Sequence, residues 1–185
     1  MHSRTALNYS MALVELAKDK NILPRIKTAV EELLAALNIA ELRHFLSHPR
    51  VPVAAKREIF NKVLAPETPL EFRNFLNLLI DRRKDNLLIP ILENAAELAL
   101  KAEGYQIVEL ISALPLTAAA QTAIQTRLEK CWETKVFAKY RENPNLIGGI
   151  IIRRGDEFID GSLAGQLNAL KELLLAKTNI GSLIP

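Results

Sequence analysis

The hydrophobic pattern of this 185-residue chain changes its period once, at Gly104, and no fold built from one type of secondary structure accommodates both sides of the change. Before it, apolar residues recur three and four apart with frequent breaks, and nothing alternates long enough to make a strand. The pattern resolves into five or six short helices. The first covers Arg4 to Lys18. The second runs from Pro24, a residue suited to a helix start, to Ala40, with Ile26, Val30, Leu33, Leu34 and Leu37 on one stripe. A short segment through Leu42, Phe45 and Leu46 stops before Pro49, and a further helix spans Val53 to Leu64. Thr68, Pro69 and Glu71 have the spacing of a capping box, with Thr68 as N-cap of a helix reaching Arg83. The last helix of the set follows Asp85 and Asn86 and ends at Gly104, a suitable left-handed terminator.

Beyond Gly104 the pattern predicts a strand over Tyr105 to Ala113, a helix capped by Thr117 with Ile124, Leu128 and Cys131, and a half-buried strand over Val136 to Arg141. A strand over Gly149 to Arg154 then turns at Gly155-Asp156 into Glu157 to Ile159. Ser162 caps a final helix that carries Leu163, Leu167, Leu170 and Leu174 on one face. The expected organisation is an all-α domain over residues 1–104 followed by a small α+β domain over 105–185.

Chemistry is sparse in this chain. His44 and His48 stand one helical turn apart without a third ligand in reach and read as surface residues. Cys131 is alone and reads as a small buried apolar residue. Gly148-Gly149 lacks the Lys and Ser or Thr of a phosphate loop and precedes a strand, so close backbone packing is the expectation. Asp156, Glu157 and Asp160 sit where solvated carboxylates are common. No nucleophile stands beside a base, which leaves an interaction protein as the expectation in place of a small enzyme.

A net charge of +3 raises nucleic acid as a partner, but the excess is spread over both halves, and the one basic triplet, Arg82-Arg83-Lys84, falls where a helix should end. An RNA adaptor would need those charges on one face. No apolar run approaches a membrane span, and Met1 to Leu7 lacks the pattern of a signal peptide, so a cytoplasmic chain is expected.

Two helices carry more apolar surface than one core stripe needs. At 100° per residue, Tyr9, Ala12, Leu13 and Leu16 fall on one side of the first helix, and Leu7, Met11 and Val14 almost opposite. In the helix from Leu70 to Arg83, Phe72, Phe75, Leu76, Leu78, Leu79 and Ile80 cover a similarly wide arc. Either part of this surface forms a groove for an amphipathic helix, or both helices are simply central.

The run Asn145-Leu146-Ile147-Gly148-Gly149-Ile150-Ile151-Ile152-Arg153, followed by Phe158-Ile159-Asp160-Gly161-Ser162 and a leucine helix, resembles the signature of the delta subunits of F-type ATP synthases, the bacterial counterparts of the mitochondrial oligomycin-sensitivity-conferring protein. Tyr9-Ser10-Met11-Ala12-Leu13, Leu46-Ser47-His48-Pro49-Arg50-Val51 with Lys56, and Asn74 to Arg82 extend the likeness over nearly the whole chain; Ser10 and Asn143 depart from it, where an alanine and an acid are usual. The resemblance implies a six-helix N-terminal bundle on the catalytic alpha3-beta3 head, with helices one and five receiving the N-terminal helix of an alpha subunit through Tyr9, Ala12, Leu13, Leu16, Phe75, Leu78 and Leu79. It assigns Gly148, Gly149, Asp160, Gly161 and Ser162 to the structural signature and the C-terminal domain to the b subunits of the peripheral stalk. It further implies one copy per complex at the cytoplasmic face of the membrane, with no cofactor and no catalysis, in a stator that holds the head against rotor torque and so couples proton flow to ATP synthesis.

Overall fold

The computed structural model describes residues 4–180 apart from Pro49, and the chain divides into two compact units, Met1–Glu103 and Gly104–Pro185. The first is helical and the second combines a four-stranded sheet with helices.

In the first unit the helices are α1 (Arg4–Asp19), α2 (Leu23–Ala36), α3 (Ala40–Ser47), α4 (Val53–Val63), α5 (Leu70–Asp81) and α6 (Leu88–Ala102), with a short 3-10 turn at Asp85–Leu87 before α6. One continuous apolar core takes side chains from each of α1 to α6, among them Leu13, Ile26, Leu33, Leu46, Phe60, Phe72, Leu76, Leu79, Ile91 and Leu92. α1 packs closely on α6 because small residues, Ala6, Ser10 and Ala17, line its buried side. The Ser10 hydroxyl reaches the carbonyls of Ala6 at 2.8 Å and Ile91 at 2.7 Å, so a polar atom at the helix contact is satisfied by the backbone of both helices.

α2 stops at Ala36, short of the expected Ala40. The amides of Asn38 and Ile39 turn to the carbonyls three residues back, which tightens the chain before α3, while Leu37 stays in the core and keeps the hydrophobic rhythm unbroken.

The expected capping box does not form. Pro69 is the N-cap of α5, and its carbonyl accepts from the amides of Phe72 and Arg73. Glu71 pairs outward with Lys20 at 2.7 Å, and the Lys20 ammonium holds its carboxyl below the usual range. Thr68 is buried with its hydroxyl unpartnered among the described residues. A valine of the same shape removes that desolvated hydroxyl, so Thr68→Val is expected to stabilise the protein by about 1 kcal/mol, read as a raised urea midpoint at constant slope.

The second unit holds β1 (Gln106–Ser112), α7 (Ala118–Trp132), β2 (Val136–Glu142), β3 (Gly149–Arg154), β4 (Glu157–Ser162) and α8 (Leu163–Ile180). The sheet order is β2-β1-β3-β4, with β1 and β2 parallel and joined through α7, and the remaining pairs antiparallel. Val108, Leu110 and Val136 are fully buried on one face of it. Thr117 caps α7 by accepting from the amide of Ala120 at 3.3 Å. Gly104, at φ 84, stops α6 in the left-handed conformation, where any other residue would be strained.

Candidate docking site

Two side-chain contacts link α1 to α5 and fix which flanks meet. The rings of Tyr9 and Phe75 stand edge to face with centroids 6.5 Å apart, and an ion pair joins Lys20, the residue after α1, to Glu71 in the first turn of α5. On α1 the buried stripe is Ala6, Ser10, Leu13, Val14 and Ala17. At 100° per residue it runs between the two apolar sides read from the sequence and takes one member from each, Leu13 and Val14. What remains lies on the flanks. Tyr9, Leu16 and Ala12 follow one another around the flank that carries the Phe75 contact; Leu7 and Met11 lie on the other and are exposed.

On α5, Phe72, Leu76, Leu79 and Ile80 enter the core, Phe75 is buried at its edge, and Leu78 stays 43% exposed. Of the seven residues expected to receive a partner helix, Tyr9 and Phe75 meet, and Ala12, Leu16 and Leu78 lie exposed on the flanks that carry them. Leu13 and Leu79 are corrected to core positions, at 1% and 0% exposure. The small residues Ala6, Ser10 and Ala17 were the missed signal, since their spacing marks the side on which another helix can approach.

The glycine-rich signature folds into one knot where β3, β4 and the start of α8 meet. Gly149 pairs with Ser162 across the hairpin, and the amide of Leu163 donates to the carbonyl of Gly148 at 3.0 Å. The carboxylate of Asp160 accepts from the amide of Ser162 at 2.8 Å, and the Ser162 hydroxyl accepts from the amide of Gly165 at 3.0 Å, which caps α8. The hydroxyl and amide of Ser162 hold the Asp160 carboxyl below the usual carboxylate range. Gly148, Gly149, Asp160, Gly161 and Ser162 thus hold β3, β4 and α8 to one another.

Beside this knot the second unit presents apolar surface. Leu163, Leu167 and Leu170 of α8 are exposed, as are Phe158 and Ile159 of β4; the side chain of Leu174 lies outside the described residues. Cys131 is exposed, against expectation. The half-buried stripe of α7 runs through Ala120, Gln121, Ile124, Gln125, Leu128, Glu129 and Trp132, with Gln125 donating to the carbonyl of Val136, so Ile124 and Leu128 hold the expected face and Cys131, in the last turn, does not. The rings of His44 and His48 lie edge to face, 5.7 Å apart. Among the described residues no group of three or more His, Cys, Asp or Glu is placed to hold a metal ion, and no helix is long and apolar enough to cross a membrane.

Residues 5–174 match the family described as ATP synthase delta (OSCP) subunit. The chain is 35% identical over 170 residues to the ATP synthase subunit delta of Desulfitobacterium hafniense, covering 91% of this chain and 95% of that protein. It is 34% identical over 173 residues to the subunit of the same name from Halothermothrix orenii, covering 93% and 91%. A chain in the cryo-EM structure of the Toxoplasma gondii mitochondrial ATP synthase hexamer has the same fold, with a TM-score of 0.70 over 94% of this chain and 98% of that one, at 22% identity.

Proposed function

We propose, on the premise that this chain belongs to the ATP synthase delta (OSCP) subunit family, a division of labour between its two units. The protein is a non-catalytic subunit of F-type ATP synthase, a peripheral-stalk component joined to the catalytic head and present in one copy. In our reading α1 to α6 close a six-helix bundle within residues 1–104, and its α1–α5 edge receives the N-terminal helix of an alpha subunit. Residues 105–185 receive the ends of the b subunits on the exposed apolar surface of α8 and β4. The assembly sits at the cytoplasmic face of the membrane.

The observation that carries this reading is the exposure of Ala12, Leu16 and Leu78 on the flanks where half-buried Tyr9 meets Phe75 at the rim of the core. A connector under torque has to stay bound through every rotor step. Apolar burial between preformed helices supplies affinity without a chemical step, and rigid elements transmit load without yielding. The mechanical role is thus a matter of two docking surfaces on one chain, so that head and stalk cannot turn with the rotor.

Capture of the tagged full chain from detergent-solubilised membranes tests the reading. Alpha, beta and b subunits are expected together in the eluate; recovery of b without alpha and beta would remove the head-docking assignment.

A further inference from the structure

A cavity of about 590 Å³ opens where the start of α4 meets the end of α5. Its wall carries three cations, Arg50, Lys56 and Arg83, against one carboxylate, Asp85. The charges are not equivalent. Lys56 is 97% buried by its 3% exposure and pairs with Asp85, which uses up the only negative charge in the wall. Arg50 and Arg83 make no side-chain hydrogen bond or ion pair among the described residues, and both are exposed at the rim.

The backbone adds to the same imbalance. Arg83 sits at φ 53, in the left-handed turn that ends α5, with its amide on the carbonyl of Ile80. Pro52, the N-cap of α4, has no side-chain acceptor, and the first turn of α4 carries no acid. The first helical bond there is from Lys56 to Pro52, so the amides of Val53, Ala54 and Ala55 remain without an intrahelical partner beside the cavity. Val51, Val53 and Ile80 give the remaining wall an apolar character.

We propose that this cavity binds the phosphate group of a small phosphorylated molecule, held between the guanidinium groups of Arg50 and Arg83. Guanidinium forks match phosphate oxygens in a way a single ammonium does not, and the volume leaves room for more than the phosphate itself. A ligand bound there ties the segment before α4 to the segment after α5. None of these residues belongs to the α1–α5 edge, so the proposal stands apart from the assignment of that edge.

Amide-resolved NMR titration of the full chain at fixed ionic strength, with inorganic phosphate and with ATP as the two probes, tests it. The expected result is saturable shifts confined to Arg50, Val53 to Lys56 and Arg83, with ATP binding at least as tightly as phosphate, and a melting temperature that rises with ligand concentration. The double variant Arg50→Ala, Arg83→Ala should bind at least tenfold more weakly while its unliganded circular dichroism is unchanged, since both side chains are exposed. Shifts that grow without saturating, or that spread over basic residues elsewhere, would assign the effect to ionic screening and overturn the site. So would saturable binding that the double variant retains.

Discussion

Gly149→Val is expected to unfold the second unit while leaving the first intact. Gly149 has φ 85, a conformation that a β-branched residue adopts only under strain. A Cβ built there lies 2.3 Å from the carbonyl oxygen of Gly161 and 2.8 Å from the Cα of Ser162. Both obstacles are backbone, in the strand hydrogen-bonded to β3, so no side-chain rotation relieves the clash. Relief requires the β3–β4 register to open at the point where Ser162 caps α8.

The left-handed strain is worth about 1–2 kcal/mol and forced overpacking about 1–3 kcal/mol or more. Together they approach the whole stability of a small unit, whose lower range is about 5 kcal/mol. Circular dichroism should show loss of the sheet with most helix retained. Binding of b subunits should fall below detection, and binding of a peptide copying the alpha N-terminal helix should stay within about twofold of wild type. Equal loss of both would contradict separate docking roles for the two units.

The parts of the fold legible in the sequence are those where local chemistry and tertiary packing agree. Gly104 and Thr117 do locally what their types favour, and the structure uses them so. The hairpin through Gly155-Asp156 and the cap at Ser162 belong to the same class. Where packing overrides local preference, the sequence misleads. Thr68 has the right spacing for a cap, yet the core takes its side chain and Pro69 starts the helix. Leu37 continues the rhythm of α2 at its C-cap, and the helix ends there although the pattern predicts three more residues.

The candidate docking edge was half legible for a related reason. A helical wheel shows that α1 and α5 are too apolar for one stripe, but it cannot show where the stripe is centred. That depends on which neighbour approaches, and the approach of α6 is governed by the small residues Ala6, Ser10 and Ala17. Leu13 and Leu79 were therefore assigned to a surface they do not reach.

Ala12→Asp, the sharpest test of that edge, is expected to weaken binding of an alpha N-terminal peptide by about a hundredfold without unfolding the protein. Ala12 is exposed on the α1 flank shared with Tyr9 and Leu16, and the buried stripe of the helix does not include it. The substitution therefore costs the free protein little more than helix propensity, about 0.5 kcal/mol. On docking, the same carboxylate would lose water against an apolar partner without gaining a hydrogen bond, a penalty of about 3 kcal/mol, which corresponds to the hundredfold loss. Calorimetry on the full chain measures the affinity, and circular dichroism checks the fold. Leu13→Ala supplies the contrast: from inside the core it should destabilise the protein by about 2–5 kcal/mol and alter peptide affinity only as far as it loosens α1. Wild-type affinity in Ala12→Asp would move the docking surface off this flank. Met11→Asp would then be the variant that loses binding, because Met11 and Leu7 form the exposed apolar surface on the opposite side of the buried stripe.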